Sequence, residues 1–442
     1  MMLSRKGAIA GRLAALALCA ALICGIGGAP SGPLDRPPVA GLPGRIVTGG
    51  PAAGPAAHAV LPLVLSVAQP ANRPWDVPSI RHQVAGTTPI RITATAAILV
   101  DGRSGQVLYS RNPHLIWPPA STTKIMTALV AVQSTPLDTL ITISPQVARF
   151  RDGSVVGLPQ GARIPLRDLL YALLLPSGND VALAIAEGTA GTVQAFVARM
   201  NAEAQRIGAT QTHFGSPHGL YTPDNYTTAY DLTVITRAAM RNPTIAEIVR
   251  TKRWTFQPAG YARRVLYNHN KLLSRYPGAD GVKTGYVGEA GLTFVASATH
   301  GGWRLIAVVL HTRDMYGDSA RLLSYGFAHF RPTTLARAGE DLAVVELPAS
   351  KRPVVGTVAS DVTIDTASGE DVVRRVSLAG ALNAPLRRGD PIGEVTFSAD
   401  GHLVGTSPLV AAQDVGQERS DLEQFVNWIG RAVGHFLGAV VL

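Results

Sequence analysis

Three short stretches of this chain place hydroxyls, amines and a carboxamide at spacings that suit acyl transfer. In Pro119-Ala120-Ser121-Thr122-Thr123-Lys124-Ile125-Met126, a serine and a lysine stand three residues apart at the start of a predicted helix. Residues at i and i+3 share a helical face, so hydroxyl and amine can touch. A serine hydroxyl is a poor nucleophile until a base takes its proton. Lys124 can be that base only as a neutral amine, and burial or a neighbouring cation favours that state.

The second stretch, Ser177-Gly178-Asn179, interrupts an apolar helical run with polar groups. Its hydroxyl can relay a proton between Lys124 and a leaving group, and its amide can hold Lys124 or a substrate amide. The third, Lys283-Thr284-Gly285, lies on a predicted strand. Its ammonium would keep a nearby Lys124 deprotonated and attract a substrate carboxylate, and Thr284 offers that carboxylate a hydroxyl. Gly285 lets a substrate backbone lie close to the strand. Backbone N–H groups of Ser121 and Tyr286 are candidate oxyanion donors, each worth about 3 kcal/mol of transition-state stabilisation. Arg313, just past a second strand, is a candidate further cation for the carboxylate. His213, His218 and His269 fall into no H-E-x-x-H or H-x-H pattern, so no metal is expected.

These residues need a scaffold. Ile125 to Val132 is largely apolar, as a helix in the domain centre requires. Ala96–Val100 and Gln106–Tyr109 read as a hairpin across Asp101-Gly102-Arg103-Ser104-Gly105. Helices are predicted from Leu166 to Leu175, from Val181 to Glu187, over 192–207, from Asp231 to Met240 and from Leu322 to Phe330. Leu292–Ala298 and Arg304–Leu310 form an antiparallel pair through Gly301-Gly302, beside the Lys283 strand. The fold class is α+β, with an antiparallel sheet flanked by helices over residues 92–335. Short β-branched runs separated by Gly, Asp and Pro then predict a small all-β domain at 340–412.

The chain has 442 residues, 46% hydrophobic and 16% charged, enough to bury large cores. Its net charge of +10 comes without zinc-finger spacing, basic runs or aromatic–basic alternation, so nucleic acid is not an expected partner. Residues 1–29 read as a signal peptide or N-terminal anchor, with Arg5, Lys6 and Arg12 ahead of an apolar run from Leu13 to Ile26. Both cysteines, Cys19 and Cys24, lie inside it. Residues 30–91 form a Pro/Gly/Ala-rich linker, in which 60–68 reads as a short strand or an apolar part of the linker. In 418–442, Leu422, Phe425, Val426, Ile429, Val433, Phe436 and Val440 make an apolar stripe. That amphipathic helix is expected to lie in a membrane interface.

Together the three motifs mark penicillin-recognising serine enzymes. With Pro217-His218-Gly219-Leu220 and Asp280-Gly281-Val282-Lys283-Thr284-Gly285, the stretch from 92 to 330 closely resembles the serine-type D-alanyl-D-alanine carboxypeptidases, the low-molecular-mass penicillin-binding proteins. The resemblance implies a penicillin-binding/β-lactamase-like fold and no cofactor. It implies an exported enzyme on the extracytoplasmic face of a bacterial membrane, trimming terminal D-alanine from peptidoglycan stem peptides and acylated by β-lactam antibiotics. It makes Ser121 the nucleophile, Lys124 the base, Ser177 and Asn179 the relay and its support, and Lys283, Thr284 and, more loosely, Arg313 carboxylate binders. A class A β-lactamase needs an E-x-x-L-N loop, and none occurs between Asn179 and Lys283. A D,D-endopeptidase and a non-enzymatic wall-binding scaffold are the other readings.

Overall fold

The computed structural model describes residues 63–67, 90–416 except 349, 351, 368 and 400, and 428–429. The predicted leader at 1–29, most of the linker, and the terminal helix apart from 428–429 lie outside the described residues. Among the described residues, no single helix is long and apolar enough to cross a membrane.

A five-stranded antiparallel sheet carries the first domain. The predicted hairpin is β1 (Ala96–Asp101) and β2 (Val107–Arg111). The Lys283 strand and the predicted pair are β3 (Ala279–Val287), β4 (Gly291–His300) and β5 (Trp303–Thr312), in the order β2-β1-β5-β4-β3. Successive side chains on a strand face opposite ways. Here both faces are covered, so the central strands are apolar on both. Ala97, Leu99, Phe294, Ala296, Leu305 and Ala307 pack in one core with α7 (Met315–His329). Ile98, Val100, Val295, Ile306 and Val308 face a second core, built from the helices between β2 and β3.

Those helices are α1 (Lys124–Ser134), α2 (Leu166–Leu174), α3 (Asn179–Ala190), α4 (Val193–Arg206), α5 (Ala229–Met240) and α6 (Pro243–Arg250). The central one is α1, buried from Lys124 through Ala131. Its start differs from the sequence expectation. Ala120–Thr123 form a 3-10 turn, and the α-helix begins at Lys124. The closing helix α7 starts earlier than expected because Asp314 caps it, accepting a bond from Gly317 N–H.

The edge strand β3 is locked to the sheet at its start. Asp280 accepts 2.6 Å bonds from the hydroxyls of Ser297 on β4 and Thr299, and pairs at 3.0 Å with Arg304 on β5. This fixes the register that carries Lys283 and Thr284 three and four residues later.

The second domain is all-β. Strands β6 (Phe330–Ala336) and β9 (Val362–Ala367) pair with each other. The rest are β7 (Asp341–Val345), β8 (Val354–Val358), β10 (Val372–Leu378), β11 (Pro391–Ala399) and β12 (His402–Ala411). They run β10-β11-β12-β8-β7 in one sheet, and the strand Leu63–Val67 adds parallel to the outer edge of β10. Of the two readings of 60–68, the strand is the one adopted. Gln106 joins the two domains. Its carboxamide donates to Asp365 O and accepts from Asp365 N–H, both at 2.8 Å.

Candidate active site

Ser121 sits in the 3-10 turn between α1 and β3. The residue before it, Ala120, has φ +49°, a left-handed conformation that costs a side-chain-bearing residue about 1–3 kcal/mol. Close packing holds the turn in place. A Cβ on Gly285 would lie 3.0 Å from the Ser121 backbone nitrogen, and one on Gly219 (φ +84°) would collide with Ala120 O. The Thr122 and Thr293 hydroxyls both donate to Pro119 O, at 2.6 and 3.2 Å. Thus the bare edge at Gly285 admits the nucleophile turn.

Lys124 is fully buried, with its amine 3.0 Å from Ser121 Oγ. It donates at 2.6 Å to Asn179 Oδ1 and at 2.6 Å to His218 O. A neutral amine has two N–H groups and one lone pair. The two carbonyl-type acceptors use both N–H groups, and the lone pair remains for the Ser121 hydroxyl. Burial, then the Lys283 cation, lower the Lys124 pKa well below the ordinary lysine value, against a smaller opposing effect of Asp180.

Asn179 opens α3 and is buried. Its Nδ2 donates at 2.9 Å to Asp152 O, which fixes the amide with its oxygen toward Lys124. Its neighbour Asp180, also buried, accepts from the N–H groups of Val156, Gly157 and Leu158. Three backbone donors on one carboxylate pin the 152–158 loop to the helix start. The Asp180 role was not read from the sequence, although an acid in a first helical turn is its visible signal.

Ser177 lies in the break between α2 and α3 with φ +66°, 4% exposed. Its Oγ has no hydrogen-bond partner among the described residues. A buried hydroxyl left unpaired costs about 1–3 kcal/mol.

Lys283 is 1% exposed, and burial pulls its pKa down to about 7. Its Nζ donates at 2.9 Å to Thr284 O. Two histidines with no role in the sequence reading flank the lysines. His218 stacks on Phe150, and its Nδ1 accepts from Leu220 N–H at 3.1 Å. Burial and the Lys124 charge push its pKa to about 4, so it is neutral at physiological pH. The His269 pKa is lowered by burial, then by Lys283 and Lys124, which puts it in the field of both amines. Its N–H donates to Leu175 O, just before the Ser177 break.

Tyr286 projects its ring into solvent, 66% exposed, while its backbone follows Gly285 beside the Ser121 turn. Arg313 makes no hydrogen bond or ion pair with these residues among the described residues. It is exposed on the loop after β5, with its own N–H bonded to Thr93 Oγ1 at 3.0 Å. The structure therefore brings Ser121, Lys124, Asn179, Lys283 and Gly285 together. No group of three or more metal-binding side chains occurs among the described residues.

Residues 82–314 match the family described as D-alanyl-D-alanine carboxypeptidase. The chain belongs to that family. Residues 330–417 match the C-terminal domain of penicillin-binding protein 5, which covers the all-β domain. The D-alanyl-D-alanine carboxypeptidase DacA of Escherichia coli K12 is 32% identical over 367 residues, covering 79% of this chain and 90% of the relative. DacB2 of Mycobacterium tuberculosis, also a D-alanyl-D-alanine carboxypeptidase, is 41% identical over 256 residues, 56% of this chain and 87% of the relative. Penicillin-binding protein 5 of Haemophilus influenzae superposes with TM-score 0.67 at 32% identity, covering 75% of this chain and all of that one. The family is serine-type, penicillin-binding and peptidoglycan-processing, and its bacterial members work at the cell wall.

The burial of Lys283 has a kinetic consequence. The cation holds a substrate carboxylate and the neutral amine does not, so kcat/KM should fall as pH rises through about 7, the value set by burial in the free enzyme. The corresponding kcat limb should lie higher, because a bound carboxylate restores the charge. Steady-state release of D-alanine across the pH range checks this. A kcat/KM that stays flat to about pH 9 would show that Lys283 does not titrate there.

Proposed function

We propose that this chain is a D-Ala-D-Ala carboxypeptidase that removes the terminal D-alanine of peptidoglycan stem peptides through an acyl-serine. The observation that carries this reading is the buried Lys124 amine, 3.0 Å from Ser121 Oγ and held by Asn179 Oδ1 and His218 O. In the proposed reaction Ser121 Oγ attacks the penultimate carbonyl as Lys124 takes its proton. The backbone N–H groups of Ser121 and Tyr286 receive the oxyanion. The C–N bond to D-alanine breaks, and Ser177 Oγ carries a proton to the departing amine. Water then hydrolyses the ester, with Lys124 again as base. Lys283 and Thr284 bind the terminal carboxylate and so favour a substrate with a free C-terminus. Arg313, more loosely, is a further cation for that carboxylate.

The same reading makes residues 1–29 an export signal or anchor. It places the enzyme on the extracytoplasmic face of the bacterial membrane, with the 418–442 stripe in the interface and β-lactams as acylating inhibitors.

Ser121→Ala should reduce D-alanine release from a synthetic pentapeptide by at least about 10³-fold. Release at the wild-type rate would show that another residue is the nucleophile. Deleting 418–442 should move the mature protein from the membrane to the soluble fraction. Unchanged partitioning would remove that helix as the anchor.

A further inference from the structure

The tripeptide Asn268-His269-Asn270 ties together pieces of chain that carry the cleft. The Asn268 side chain donates to Val249 O at 3.1 Å and to Thr251 O at 3.0 Å, and its Oδ1 accepts from Asn270 N–H at 2.9 Å. The Asn270 side chain donates at 2.9 Å to Gly281 O on β3, two residues before Lys283, and accepts from Leu272 N–H at 3.0 Å. Between them the His269 backbone is bound on both sides. Its N–H meets Leu175 O at 3.0 Å, two residues before Ser177. Its carbonyl accepts from the Tyr316 hydroxyl of α7 at 2.8 Å. Three residues thus bridge the Ser177 break, the Lys283 strand and the closing helix.

The two asparagine side chains are spent on holding this backbone, and the histidine ring is not. His269 is exposed, and its imidazole makes no hydrogen bond, ion pair or ring contact among the described residues. It still senses both amines of the cleft. After burial, the charges of Lys283 and then Lys124 hold its pKa below the usual 6.5, so the ring is neutral at physiological pH. Salt water screens charges beyond about 10 Å, and Lys283 and Lys124 are 1% and 0% exposed. An exposed ring that feels two amines buried in the cleft floor faces that cleft. Its backbone is fixed and its polar atoms are free, which suits a contact to a ligand.

The choice of imidazole follows from the charges around it. A third cation here would push Lys283 further down from about 7 and remove the charge that receives a carboxylate. A neutral imidazole keeps one N–H donor and adds no charge. We propose that His269 is a substrate-binding residue, whose ring N–H donates to the terminal carboxylate received by Lys283 and Thr284. This deepens the carboxypeptidase reading and rests on it. Lys124 stays the base, with its amine 3.0 Å from Ser121 Oγ, and His269 transfers no proton in the reaction.

The test compares the full-length wild type with His269→Ala and His269→Gln. One substrate is a peptide ending in D-Ala-D-Ala with a free carboxylate, and the other is the same peptide closed as a carboxamide. A hydrogen bond to a charged group is at stake, so the preference of kcat/KM for the acid over the amide should fall about tenfold in His269→Ala. The fall should lie mostly in KM, because the carboxylate is held before and during bond breaking alike. His269→Gln keeps an N–H donor and should recover most of the preference. An unchanged preference in His269→Ala, or equal losses on both substrates, would overturn the assignment. A second measurement needs no substitution at 269. Diethyl pyrocarbonate should modify the exposed His269 of a Ser121→Ala protein, as mapped by peptide mass, and saturating acid peptide should shield it. A ring that reacts equally with and without peptide would also overturn the assignment. A wild type that releases no D-alanine from the acid peptide would instead overturn the carboxypeptidase reading beneath it.

Discussion

An uncharged lysine amine buried beside a serine hydroxyl is the constraint on which the rest of this structure depends. An ammonium in that position would have to be stripped of water at a cost of several kcal/mol. The fold avoids that cost by keeping the amine neutral. Burial contributes most, and the nearby Lys283 adds to it. The two acceptors, Asn179 Oδ1 and His218 O, use both N–H groups and direct the lone pair at Ser121. Each is itself anchored. Asn179 is tied to Asp152 O, and the 217–219 segment is held by Thr127 Oγ1, which donates at 2.6 Å to Pro217 O.

The same constraint explains why the backbone is strained here. Ala120 and Ser177 are two of the few side-chain-bearing residues with positive φ, and each stands at the approach to a hydroxyl or amide of the site. The glycines carry the complementary role. Gly219 and Gly285 have no side chain because the nucleophile turn occupies the space that a Cβ would need. Lys283 links the two functions of the cleft, since one charge helps keep Lys124 neutral and receives a carboxylate. Its own burial makes that charge marginal near neutrality, and an arriving carboxylate tips it back.

Much of this was legible in the sequence because side-chain chemistry at fixed spacing leaves a trace. Ser121, Lys124, Asn179 and Lys283 were singled out by type and position, and the structure brings them into one cluster. The sheet hairpins and the buried α1 followed from periodicity. What escaped has a physical reason in each case. His218 acts through its backbone carbonyl, which every residue has, so its side chain gave no hint. The parallel pairing of Leu63–Val67 with β10 spans some three hundred residues and has no local signature. Helix α6 was missed although Asn242 caps it and Pro243 follows.

The most direct test of a neutral, buried Lys124 is the pH dependence of acylation by benzylpenicillin, followed by intact mass with peptide mapping of the adduct. The account predicts one stable adduct, on Ser121. It also predicts that at saturating benzylpenicillin, where the bound carboxylate keeps Lys283 charged, the acylation rate holds steady down through neutrality and falls only when Lys124 finally takes up a proton, well below the ordinary lysine value of 10.5. An adduct elsewhere, or a rate that climbs with pH toward 10.5, would mean that the amine is charged at rest, and the account would fail at its centre.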